Sequence, residues 1–118
     1  MTRKLLNSNS LPEWFAYPEE FQYMIQSGLL DIGCWQLLQG DWLEVRHQGL
    51  KKRFPARDLV PFARRLDSDD VACWESVSFP NVLVIHDFCA PGWEARATYS
   101  SFEDWLKIAS DEAKDFDA

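Results

Sequence analysis

The chain has 118 residues, 47% of them hydrophobic and 26% charged, which is the balance of a globular domain and excludes disorder as its default state. Nineteen acidic residues against twelve Lys and Arg give a net charge of −7, which disfavours nucleic-acid backbones and anionic membranes as partners and favours a basic protein. Six Trp, three Tyr and eight Phe supply apolar area for a core that needs no disulfide or metal staple.

The first residues, 1–10, contain Arg3 and Lys4 but only Leu5 and Leu6 behind them, too little for a signal-peptide core, and are expected as a flexible N-terminus. Ser10 and Glu13 form a capping-box spacing that predicts a helix opening at Leu11. Pro18 interrupts it, so a second helix is expected to restart there, with Glu19 and Glu20 complementing its dipole. Phe21, Met24, Ile25 and Leu29 would make its apolar face, and Gly28 would cap its end.

From Trp35 the period changes. Trp35 to Gln39 and Trp42 to Gln48 read as two antiparallel strands joined by Gly40-Asp41, a pair suited to a type II′ turn. Gly49 to Asp58 reads as a basic connector, followed by the apolar residues Leu59, Val60, Phe62 and Ala63. Val71 to Val77, Val82 to Phe88 and Glu94 to Tyr99 read as further strands, with Pro55, Pro61 and Pro80 at edges or bends. Phe102, Trp105, Leu106 and Ala109 then define an amphipathic helix capped by Ser100 or Ser101. Asp111, Glu112, Asp115 and Asp117 form an acidic tail over 111–118, expected as a frayed, solvated end. The fold class that follows is α+β: one domain over 11–110, a mainly antiparallel or mixed sheet of about five to six strands, packed by N-terminal and C-terminal helices.

Three cysteines, Cys34, Cys73 and Cys89, cannot complete a disulfide framework and lack metal-type spacing, so reduced thiols and a cytoplasmic location are expected. No stretch approaches the apolar length of a membrane span. His86, Asp87 and Cys89, with Cys73 nearby, would be the nucleus of a small metal site or a Cys-His enzyme; alternation sends His86 and Asp87 to opposite faces unless a bulge intervenes. The bland reading makes Cys73 and Cys89 small buried hydrophobes and His86 a hydrogen-bonded structural residue. Single glycines at 28, 33, 40, 49 and 92 build no phosphate loop or nucleophile elbow, and Asp69-Asp70 fits a turn satisfied by its own backbone. No cofactor is expected.

Charge is unevenly placed. Arg46, Lys51, Lys52, Arg53, Arg57, Arg64 and Arg65 lie between positions 46 and 65, where Asp58 is the only acid. That belt is either a solvated face or a surface for an acidic segment. Trp42 and Trp93, beside turns, are expected to be partly exposed.

The stretches LVPFARRLDSDDVACWE (59–75) and VLVIHDFCAPGWEARATYSSFEDWL (82–106) resemble the SUKH superfamily, the Smi/Knr-like family of cell-wall regulators and bacterial toxin-immunity proteins. LPEWFAYPEEFQYMIQSGLLDIGCWQLL (11–38) is similar to that family's N-terminal helix and first strand. The resemblance covers about Leu11 to Ile108, and its most specific piece runs from Pro61-Phe62-Ala63 through Asp69-Asp70 to Ala72-Cys73-Trp74. Leu66-Asp67-Ser68-Asp69-Asp70 stands where many members carry a Gly-rich turn, so no ligand contact at that turn is carried over.

The resemblance implies an α+β fold wrapped by helices, and a non-enzymatic binding module that neutralises a toxin, often a nuclease, by covering it. It supplies no catalytic residues. On this reading Asp67, Asp69, Asp70, Asp87 and Glu94 would mimic the charge of a basic toxin's substrate, with Trp93 and then Trp42 as aromatic anchors. A regulatory scaffold that binds an endogenous protein or peptide through the basic belt is the alternative, and a metal protein or enzyme using His86, Asp87 and Cys89 the third.

Overall fold

Apolar strands, the longest of them buried along nearly their whole length, dominate the middle of the chain, and the computed structural model, which describes residue 5 and residues 11–89 and 92–116, pairs them into one sheet. The elements are α1 (Glu19–Gln26), β1 (Asp31–Ile32), β2 (Trp35–Leu37), α2 (Gly40–Arg53), β3 (Leu59–Arg65), β4 (Asp70–Glu75), β5 (Val82–His86), β6 (Ala95–Tyr99) and α3 (Phe102–Phe116). The six strands lie in chain order and every neighbouring pair is antiparallel. The fold is α+β, a single domain with an antiparallel six-stranded sheet.

Strand alternation divides the core between the two faces of the sheet. Ala72 and Trp74 of β4, with Val82 and Val84 of β5, enter the larger cluster beside Phe21, Met24 and Ile25 of α1 and Phe102, Trp105 and Ala109 of α3. Val71 and Cys73, with Ile85, enter a smaller one beside Leu50 of α2 and Phe54. Phe62 sits at the centre of the larger cluster, its ring centroid 4.3 Å from Trp74, 4.8 Å from Trp105, 5.4 Å from Phe102 and 5.7 Å from Phe21. Edge-on and tilted aromatic pairs of this kind add to simple area burial.

The terminal helices follow the sequence closely. At the end of α1, the Gly28 N–H bonds to the Ile25 carbonyl and the Leu29 N–H to the Met24 carbonyl, with Gly28 at φ +82°. This is the Schellman arrangement, and glycine supplies its left-handed residue. Because the helix ends at Gln26, Leu29 leaves the apolar face and is exposed. At the start of α3, Ser101 Oγ accepts from the Asp104 N–H at 3.1 Å.

Four expectations change. Residues 13 and 14 form a turn, closed by the Phe15 N–H on the Pro12 carbonyl, so no helix opens at Leu11. The predicted second strand, Trp42 to Gln48, lies within α2, which also absorbs most of the supposed connector. Gly40 does take the positive φ, +61°, that a type II′ turn needs, but the chain then coils, burying Leu43, His47 and Leu50 at helical spacing. Pro61 lies buried inside β3, tolerated because the register shifts between Pro61 and Ala63. At the C-terminus, α3 runs to Phe116, so Asp111, Glu112 and Asp115 are helical, while Asp117 lies outside the described residues. The predicted flexible N-terminus lies outside them too, apart from Leu5, which packs on the larger cluster.

Truncating Phe62→Ala should destabilise the fold by about 3–5 kcal/mol, whereas exposed Tyr23→Ala should change it by no more than about 0.5 kcal/mol. Urea unfolding of the two variants checks this, and a Phe62→Ala cost below about 1 kcal/mol would remove Phe62 from the centre of the core.

Candidate protein-interaction surfaces

The β3–β4 turn and the loop after β5 lie side by side at one end of the sheet, tied by the Asp87 N–H on the Asp69 carbonyl at 2.9 Å. This end carries most of the acids singled out from the sequence, and the structure separates them into two kinds. Asp67 and Asp69 are exposed. Arg65 holds Asp67 through Nε at 2.9 Å and Nη2 at 3.1 Å, and that pairing keeps the Asp67 carboxyl below its ordinary value. Asp70 is half-buried, its Oδ1 3.0 Å from His86 Nδ1 and 3.8 Å from Arg96 Nε.

Asp87 and Glu94 are internal. The Asp87 side chain is fully buried; it accepts from Arg46 at 2.8 Å, from Arg53 Nε at 2.5 Å and Nη2 at 2.7 Å, and from the Phe88 N–H at 2.9 Å. Burial alone would raise this carboxyl, but the bonds from Arg53 and Arg46 outweigh it and hold the group below the usual aspartate range. Glu94 accepts from the Gly92 N–H at 2.6 Å and from Arg57 at 2.8 Å, while Arg57 also grips Glu75 at 2.6 and 2.8 Å. Burial again pushes Glu94 up, and backbone N–H groups with Arg57 bring it below its ordinary value. Both carboxylates therefore spend their charge inside the protein, clamping α2 and the segment after it onto the sheet.

Both tryptophans are exposed as expected, although the turn expected before Trp42 does not form and Trp42 lies in α2. Trp93 is 78% exposed on the loop that Glu94 anchors, and Trp42 is exposed on α2 with the Arg64 guanidinium 5.3 Å from its ring. Phe88 was not visible in the sequence as a surface residue because it ends an apolar run. It is exposed, takes φ +61°, and lies over the Arg53 guanidinium at 4.0 Å. The only prior signal was the turn chemistry of Pro91-Gly92 just beyond it.

His86, Asp87 and Cys89 diverge rather than converge. His86 faces Asp70, Asp87 faces the arginines of α2, and Cys89 Sγ donates to the His86 carbonyl at 3.1 Å. Burial pushes the Cys73 thiol up to about 12, which leaves it protonated and a poor nucleophile at neutral pH. Among the described residues no group of three or more His, Cys, Asp and Glu is placed to hold a metal ion.

A separate surface lies across the larger core. α1 and α3 together carry the acids Glu19, Glu20, Glu103, Asp104, Asp111 and Glu112 against Lys107 and Lys114. Between α1, β1 and α3 runs a groove of about 460 Å³, floored by Met24, Ile32, Leu106 and Ala113, with Glu20 and Asp31 at its rim. Tyr23 and Leu29 are exposed at its lip. Gly33 lets the floor close: at φ +58°, its absent Cβ would stand 2.8 Å from the Ala113 Cα.

Compared with protein-family models, with curated proteins and with solved structures, the chain finds no match. No helix among the described residues is long and apolar enough to cross a membrane.

Two predictions follow from the clamp and the helix it holds. Asp87→Ala strands two guanidinium groups over a buried site and should destabilise the fold by about 3–5 kcal/mol in chemical denaturation; a cost below about 1 kcal/mol would class the pairs with ordinary surface bridges. The folded carboxyls of Asp87 and Glu94 lie below their unfolded values, so this stability is complete above the unfolded range near about pH 4 and is lost as pH falls through the folded values.

His47 gives the second. Neither of its buried ring nitrogens has a hydrogen-bond partner among the described residues, and burial, reinforced by Lys51 and opposed by Asp58, holds it below its ordinary value. The fold thus favours the neutral ring, and stability should fall as pH drops below the unfolded value of about 6.5, by at most about 1.4 kcal/mol per pH unit. His47→Leu should flatten that slope relative to the unmodified chain between pH 7 and 5; equal slopes in the two proteins would refute the assignment.

Proposed function

We propose that this domain is a non-enzymatic protein-binding module and, following the resemblance of its sequence to the SUKH superfamily, a bacterial immunity protein that works in the cytoplasm by occluding a basic toxin domain. The observation that carries the reading is the apolar groove between α1, β1 and α3 with carboxylates at its rim. A basic partner seated there would cover Tyr23 and Leu29 while its Lys and Arg side chains face Glu20, Asp31 and the acids of α1 and α3. The charge would steer encounter and exclude acidic competitors, and the apolar lip would supply slow dissociation. A nuclease toxin suits this chemistry because its phosphate-binding surface must be basic. Asp67, Asp69, Asp70 and Trp93 extend the contact at the end of the sheet, and Asp87 and Glu94 serve it from inside by fixing the loop that presents Trp93. Blocking requires no bond to be made or broken by this chain.

The test is capture of secreted and cytosolic protein from the source organism on the immobilised domain at low salt, with elution by salt. The expected result is a basic protein held at about one-to-one stoichiometry, whose toxic activity the domain suppresses. Reversing charge at the rim with Glu20→Lys and Asp31→Lys should weaken that complex at least about tenfold, while Lys51→Glu with Lys52→Glu should not weaken it. Failure to hold any basic protein, or a complex indifferent to Glu20→Lys and Asp31→Lys, would overturn the reading.

A further inference from the structure

The outer side of α2 bounds a second groove, about 610 Å³, on the face of the sheet away from α1 and α3. Its apolar part is made by Trp42, Val45 and Phe88, which are 65%, 69% and 60% exposed. Three large apolar side chains left in water around one concavity make a contiguous patch, which an isolated exposed residue such as Trp93 does not.

Two local features show that this exposure is built. Phe88 is a bulky residue at φ +61°, a strained conformation that persists only where the surroundings enforce it. Here its own N–H is held by Asp87 Oδ1 at 2.9 Å, and its ring is set over Arg53 at 4.0 Å and Arg46 at 5.7 Å. Gly49 is the second feature, a glycine in mid-helix where propensity alone would favour alanine. A Cβ at Gly49 would stand 2.5 Å from Arg53 Nη2, and that guanidinium is pinned by Asp87 and cannot retreat freely. Glycine keeps the groove's wall clear.

The charge of the groove opposes that of the chain. Arg46 and Arg53 share the single carboxylate of Asp87, Lys52 is exposed, and Arg64 beside Trp42 donates, among the described residues, to the neutral amide of Gln36. Against these cations the lining offers one further acid, Glu44, in a protein of net charge −7.

We propose that this groove docks an acidic segment of a partner protein that carries an aromatic or aliphatic anchor. The anchor packs against Trp42, Val45 and Phe88, and the carboxylates of the segment face Lys52, Arg46 and Arg53. The site shares no residue with the acid-rimmed groove and does not depend on a basic toxin being the partner there.

The experiment is selection of a phage-displayed library of random 16-residue peptides on the immobilised full chain, with counter-selection on Val45→Glu. Because Trp42 and Val45 are exposed, Val45→Glu and Trp42→Ala should retain the wild-type melting temperature, and circular dichroism verifies that first. The expected outcome is enrichment of sequences rich in Asp and Glu with at least one Trp, Phe or Leu. A synthetic peptide of that kind should lose at least about tenfold in affinity with Val45→Glu and with Trp42→Ala, and keep its affinity with Glu20→Lys and Asp31→Lys. The proposal is overturned if no peptide is enriched, if the winners are basic or neutral, or if they bind the Val45→Glu chain equally well. It is overturned equally if heparin or RNA binds the groove as tightly as the peptides do and ignores both substitutions, since that would mark a general polyanion surface.

Discussion

The seating of α2 depends on one buried carboxylate. The helix contributes only Leu43, His47 and Leu50 to the interior, too narrow and too polar a stripe to fix its orientation by apolar packing alone. Asp87, reached by Arg46 and Arg53 from positions seven residues apart on that helix, supplies the missing constraint. Arg57 repeats the device one step further on, joining Glu75 of β4 to Glu94 beyond the loop. Buried ion pairs recover little net stability after desolvation, but they penalise any other placement of their partners. Their effect here is to fix which side of α2 faces outward. Rolling the helix to bury Trp42 and Val45 would leave Asp87 unpaired, so the apolar groove is exposed as a consequence of the clamp.

The same clamp explains what could be read from the chain and what could not. α1 and α3 announce themselves because their burial follows one helical period, as with Phe102, Trp105 and Ala109 on the sheet, and β3 to β5 because they are short, almost continuous apolar runs. α2 breaks that rule at both ends of the argument: its inner face contains a histidine and its outer face contains Trp42 and Val45, so the helical stripe is blurred. Gly40-Asp41 completed the misreading, since Gly40 does take the positive φ of a type II′ turn while the residues after it are helical.

The site was harder to read than the fold, for a reason of distance. The chain carries a basic belt from Arg46 to Arg65, but the acids that clamp Arg46, Arg53 and Arg57 lie 41, 34, 37 and 18 residues away, at Asp87, Glu94 and Glu75. Only the sheet brings them together. Asp87 and Glu94 therefore looked like surface charge when they are structural, whereas Trp93 was legible as exposed because it flanks a turn, and Trp42 is exposed for a different reason, its place on the outer side of α2.

The identity of each base carries information that its charge does not. Within the belt the five arginines are each engaged: Arg46 and Arg53 with Asp87, Arg57 with Glu75 and Glu94, Arg64 with Gln36 and the Trp42 ring, and Arg65 with Asp67 and Glu112. Lys51 and Lys52 are the exposed pair. Guanidinium has the planar, multiply donating edge that a buried carboxylate or an aromatic ring requires, and it is less costly to desolvate than ammonium. Arginine is thus the residue that builds this face, and lysine is the residue left to meet solvent or a partner. The free positive charge of the α2 side is much smaller than the belt suggests, and it sits against exposed aromatic surface. Binding there would rest on packing, with charge selecting the partner; the acid-rimmed groove between α1 and α3 applies the same division of labour with the opposite sign.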